Sequence, residues 1–199
     1  DRSHFRSMDI WHSASDADNY LTSGWIGRYL DSSCAPCQSA HHAIEVDDTL
    51  SMALKGNSIK GMAVKNPETL YQATHNNFFS MVNSQNKPDS LSDPTLHYLY
   101  KTMAETVSSA EFLYTRSKTI SSRVEYPQNE FSRRLKTIAE LIHANINTKV
   151  YYLSLSCFDT HVNQENQHQR LLNIYSEGIS AFVNDLGDHR MKDVVIMTF

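Results

Sequence analysis

The sequence predicts an α/β protein rich in helix, and two observations carry that reading. The last third alternates strand, helix and strand. "KVYYLSLSC" (149–157) is a near-continuous apolar run, the following residues carry one apolar helical face, and "VVIMTF" (194–199) is a second apolar run. A strand that is apolar on both faces is the mark of a parallel sheet. The middle of the chain adds clear helix-start signals and long apolar stripes with a period of 3.6.

In chain order, "RSHFRSMDIWHS" opens a first helix, with Ser3 as N-cap and Phe5, Met8 and Trp11/His12 at helical spacing. "GWIGRYLD" adds a second short helix. Residues 32–48 read as loop, and a short strand or turn is expected over 59–65, around Ile59, Met62 and Val64. Asp93 as N-cap with Pro94 at the first helical position starts a long helix. Its stripe is Leu96, Leu99/Tyr100, Met103, Val107, Ala110 and Leu113/Tyr114. Pro127 marks a break, and Phe131, Leu135, Ile138 and Ile142 pattern a further helix over 128–145. A final helix carries Leu171, Leu172, Tyr175, Ile179, Phe182, Val183 and Leu186, with Gly187 as its stop. Strand 149–157, this helix and strand 194–199 make a βαβ unit, whose crossover is right-handed. Two strands and a doubtful third are too few for a stable parallel sheet. The start at Asp1 and the apolar ending lead to the same expectation, that the chain is an excerpt of a longer polypeptide.

Composition excludes some functions. Eighteen basic against 22 acidic residues give a net charge of -4, with no basic run or basic–aromatic interleaving, so no nucleic-acid partner is expected. No apolar stretch approaches the about 18 residues of a membrane span. Ten histidines suit metal or acid–base chemistry. Of the three cysteines, Cys34 and Cys37 form a C-x-x-C without the strand-to-helix setting of a redox site or a second pair for zinc; a local disulfide or two free thiols remain open. Cys157, in an apolar run, reads as a small core residue.

In parallel sheets ligands bind beyond the carboxyl ends of the strands. Asp159 and His161 fall there, two apart in a loop, where a turn can aim both at one point. A carboxylate with an imidazole suits zinc, manganese or iron. His168, one turn before Leu172, can reach back toward the strand end. Spacing alone leaves the plainer alternative open: Asp159 capping a turn, His161 solvated, His168 structural. At the other end, Ser3 would place a hydroxyl at a helix N-terminus, which stabilises an alkoxide or a bound oxyanion, with His4 and Arg6 nearby for an anionic ester.

"RSHFRSMDIWHS", "GWIGRYLD", "LIHANINTKVYYLSLSCFDTHVNQ" with "QHQRLL", and "FVNDL" with "DVVIMTF" together resemble a bacterial family, the domain of unknown function numbered fifteen hundred and one, within the alkaline phosphatase and sulfatase superfamily. The resemblance implies part of an alkaline phosphatase-like, mostly parallel sheet flanked by helices. It implies one incomplete domain over 1–199, with a helical insertion about 90–147 and the βαβ unit over 149–199. It implies Ser3 as nucleophile, Asp159 and His161 as ligands of a divalent metal (zinc first, manganese or calcium as alternatives), and His4, Arg6, Arg28 and His168 as supporting or substrate-binding groups. The substrate would be a small phosphate or sulfate ester or a sulfated or phosphorylated glycan, and the location exported, periplasmic or at the cell envelope. One departure stands out: Cys157 occupies the position before "FDTH" where the family carries glycine. The resemblance leaves two functional readings, a metal-dependent ester hydrolase or a non-catalytic envelope or binding protein that keeps the fold.

Overall fold

The computed structural model describes residues 4–33, 39–85 and 93–199. Mixed helix and a small parallel sheet place the chain in the α/β class. It divides into two compact units, Asp1–Thr115 with Asn147–Tyr152, and Arg116–Ile146 with Leu153–Phe199.

The first unit holds helices α1 (His4–Ser13) and α2 (Trp25–Ser33), strands β1 (Ala43–Glu45) and β2 (Met62–Ala63), and helices α3 (Pro67–Thr74) and α4 (Asn77–Gln85). It also takes in nearly all of α5 (Pro94–Ser117) and strand β3 (Val150–Tyr152). The strands lie in the order β2-β1-β3, both pairings parallel, with Ile44 opposite Met62 and Tyr151. The central strand is fully buried, as a parallel strand covered on both faces must be. It falls inside 32–48, which reads as loop in the sequence; "AIE" is too short to show a period. The strand expected over 59–65 is present as β2.

Helix starts follow side-chain chemistry. Asp93 Oδ1 accepts from the backbone N–H of Thr95 at 2.7 Å and of Leu96 at 3.2 Å, the cap the sequence predicts. Asn66 caps α3 in the same way, ahead of Pro67 at the first helical position. Leu96 and Leu99 of the α5 stripe are exposed, whereas Ala110 and Leu113 are buried, so only the second half of that stripe meets the core.

The "GWIGRYLD" motif explains how α2 seats itself. Ile26 and Leu30 bury into a core with Ala43, Ala53 and Leu54. Gly24, just before the helix, and Gly27 within it let the backbone touch the 52–56 segment directly. A methyl group at Gly27 would collide with the Gly56 nitrogen and the Lys55 carbonyl carbon. One turn later the Asp31 carboxylate accepts from the N–H groups of Asn57 (2.6 Å), Ser58 (3.2 Å) and Ile59 (2.7 Å). Helix, glycines and carboxylate thus fix the loop that leads into β2.

The second unit pairs α6 (Glu130–His143) with α7 (Gln164–Met191). Asn129 caps α6 through the Ser132 N–H at 2.8 Å, two residues after Pro127. Phe131, Leu135, Ile138 and Leu141 bury from α6, and Leu171, Ala181, Phe182 and Leu186 from α7. Gly178 allows the close approach: a methyl there would lie 3.0 Å from Ser132 Oγ. Gly187 breaks α7 with φ 57°, ψ 176°, so the sequence-predicted stop is a left-handed interruption after which the chain resumes helix to Met191. Asp185, only 5% exposed, accepts a hydrogen bond from Tyr126 Oη at 2.8 Å and pairs with His143 Nε2 at 3.4 Å.

The βαβ expectation over 149–199 needs correction. The first strand covers Val150–Tyr152 rather than 149–157, and residues 194–199 form no strand. Among the described residues that run has no ladder partner, and Val195 is 93% exposed. β propensity without a partner for its N–H and C=O groups does not make a strand.

Candidate functional site

Beyond β3 the chain runs irregularly to α7. Two residues in this stretch have positive φ: Cys157 at 77° and Asn163 at 53°. A side chain costs energy in that region, so a non-glycine residue there is informative about the turn. The two left-handed positions bracket "FDTHV" and bend it. Asp159 and His161 therefore converge, as their spacing predicts: His161 Nε2 lies 2.6 Å from Asp159 Oδ1. Both side chains are open, 56% and 74% exposed. Between them Thr160 Oγ1 is buried without a hydrogen-bond partner. His168 reaches back as expected, its ring edge-on to Phe158 with centroids 5.5 Å apart. It is exposed, and it buttresses the turn through Phe158.

The donor set can be tested for a divalent metal. Two atoms bound to one tetrahedral zinc at about 2.05 Å stand about 3.3 Å apart. The observed 2.6 Å is a charge-assisted hydrogen-bond distance. Two exposed side chains open by the missing 0.7 Å or so through rotamer changes alone, and a nitrogen with an oxygen is the right chemistry. The pair fits as two ligands of such an ion.

Ser3 lies outside the described residues, as do Cys34 and Cys37. His4 is exposed on the first turn of α1. Arg6 is only 7% exposed. Its guanidinium donates to the carbonyls of Asp16 (3.2 Å), Ala17 (2.7 Å) and Asn19 (2.9 Å) and stacks on the Tyr20 ring at 3.9 Å. Arg28 donates to the carbonyls of Ser23 (2.7 Å) and Ser13 (2.6 Å). Each of these two arginines ties main-chain carbonyls within its own unit. Cys157, expected as a core residue, is exposed.

The sequence reading assigned no role to two histidine groups. His12 Nε2 and Tyr152 Oη are 3.3 Å apart, at the carboxyl end of β3. Burial lowers the His12 pKa, with Asp9 opposing, while burial and then Glu45 raise that of Tyr152. His41 stacks on His42 and Phe112 with centroids at 4.7 and 4.6 Å. Burial, then His42, lowers its pKa. The signals were the histidine count and, for His41 and His42, their place close to the C-x-x-C at a spacing poor for zinc.

Against family models, curated proteins and solved structures, the chain matches nothing. The functional reading therefore rests on the motifs and on the geometry of the turn.

Proposed function

We propose that the chain belongs to an exported, metal-dependent hydrolase of phosphate or sulfate esters, akin to the alkaline phosphatase and sulfatase superfamily that its motifs resemble. The observation that supports this most is the approach of His161 Nε2 to Asp159 Oδ1 on an exposed, bent turn. Asp159 and His161 would hold a divalent cation, zinc first, with manganese or calcium as alternatives. Such an ion supplies Lewis-acid polarisation of an ester oxygen. The chain's own part is to present a carboxylate and an imidazole together, with His168 steadying the turn through Phe158. Ser3 is the proposed nucleophile, on the motif alone.

A second reading has its own observation. The left-handed Cys157, where the resembled family carries glycine, puts a side chain and its conformational cost on the turn that would aim Asp159 and His161 at one ion. A non-catalytic binding protein with this fold tolerates that burden more easily.

The deciding experiment measures divalent-metal binding and the hydrolysis of nitrophenyl phosphate and nitrophenyl sulfate by the full chain and by Asp159→Ala/His161→Ala and Ser3→Ala variants. The hydrolase reading expects metal binding and turnover in the parent chain. It expects loss of metal in the double variant, and loss of turnover with metal retained in Ser3→Ala. A parent chain that binds no divalent metal at low micromolar concentration overturns it. Metal binding without turnover favours the non-catalytic reading.

A further inference from the structure

A second place in the first unit has the makings of a ligand site, and it does not depend on the ester-hydrolase reading. A cavity of about 370 Å³ opens between the 39–42 segment and the second half of α5. That is within the size range of small-ligand pockets. His41 forms one wall. His42 and Phe112 both pack against its ring, with interplanar angles of 26° and 32° and centroids 4.7 and 4.6 Å away. The backbone below is pinned: Thr148 Oγ1 donates to the His41 carbonyl at 2.6 Å, and the Lys149 N–H to the His42 carbonyl at 2.8 Å. The imidazole is held in one orientation before any ligand arrives.

Facing it from α5 are Ser109 and Glu105, four residues apart on one helix face, with Ser108 beside them. Ser109 is 4% exposed, and its Oγ stands 3.5 Å from His41 Nδ1. That contact is too long to satisfy either atom well, so both keep hydrogen-bonding capacity toward the cavity. Ser39 adds a hydroxyl on the near side. Burial and the neighbouring His42 disfavour protonation of His41, which makes it both a donor and an acceptor.

The charge of the lining selects among ligands. Among the described residues it contains one carboxylate, Glu105, and no lysine or arginine. An anion would meet repulsion from that carboxylate. The Glu105 carboxylate lies 4.0 Å from Lys101 Nζ in an exposed pair, which partly screens it and weakens its hold on a free cation. Hydroxyls, a half-screened carboxylate and a neutral imidazole over an apolar wall are groups that bind adjacent hydroxyls. We propose that this cavity binds a small neutral polyol of monosaccharide size, with Glu105 accepting from neighbouring ligand hydroxyls while Ser109 and His41 fix its orientation.

The test titrates the full chain with glucose, galactose and mannose, and in separate arms with glucose 6-phosphate and methylamine, following the His41 and Phe112 ring protons by NMR. At least one neutral hexose should shift both rings saturably in the millimolar range. Glu105→Gln and Ser109→Ala should each weaken it about tenfold. Ser108→Ala is a second probe should Ser109→Ala misfold. Three results overturn the proposal: no hexose shifts the rings, a hexose shifts them equally in parent and variants, or the phosphate ester or methylamine saturates the same signals more tightly than any hexose.

Discussion

His161 Nε2 stands 2.6 Å from Asp159 Oδ1, a hydrogen-bond distance across the turn. A divalent cation taken up by the pair must displace the hydrogen that joins them, because metal ligands bind deprotonated. Metal affinity should therefore be greater at about pH 8 than at about pH 6. His161→Ala should lower it at least about tenfold at either pH. A competition titration against a chromophoric chelator reads both effects.

The left-handed turn yields a pair of opposite outcomes. Cys157 has φ 77° and carries a side chain; Gly187 has φ 57° and does not. Cys157→Gly should stabilise the chain by about 1 kcal/mol, and Gly187→Ala should destabilise it by a similar amount. Space is not the reason at Gly187, since nothing lies within 4 Å of a methyl placed there. Urea midpoints at constant slope check both.

At α2 the cost is steric. Gly27→Ala drives a methyl into main-chain atoms of Lys55 and Gly56, which cannot swing aside as a side chain can. A loss of about 3 kcal/mol is expected. Asp31→Ala leaves three backbone N–H groups without their acceptor and should cost about 1–3 kcal/mol. The two residues share one loop, so the double variant should lose less than the sum, which thermal or urea unfolding measures.

Buried acid–base groups set a stability plateau. His12 and His41 have pKa values lowered chiefly by burial. Their contribution is complete above the unfolded value of about 6.5 and is lost as pH falls below it. On the alkaline side, burial raises Tyr151 to about 12, and burial with the Asp185 hydrogen bond raises Tyr126 further. Their contribution is complete below about pH 10 and is lost as pH rises through the folded values. Urea unfolding across pH should fall off on both sides, and Tyr126→Phe should flatten the alkaline limb. The same variant leaves Asp185 one donor short and should cost about 1–3 kcal/mol at neutral pH.

Local chemistry was what the sequence disclosed best. Asp93 before Pro94 names a helix start unaided, and Gly187 marks a break, because each effect acts within a turn of its cause. The convergence of Asp159 and His161 was legible for the same reason. β1 was not: three residues in "HHAIEV" carry no period, and only β2 and β3 on either side make them a strand. The run 194–199 erred in the other direction, with strand composition but no partner. The grip of Arg6 and Arg28 on main-chain carbonyls was not legible either, because those carbonyls lie from 5 to 15 residues away, a relation no local pattern encodes.

Those two guanidiniums have a consequence for the segment from Ser13 to Ser23. Each closes a chain loop by gripping carbonyl oxygens, much as a crosslink does in a small secreted domain. Unlike a disulfide, such a grip has no oxidised or reduced form, and arginine keeps its charge at any pH a folded protein meets. The start of the first unit is thus stapled by bonds that neither a reductant nor an ordinary change of pH can open.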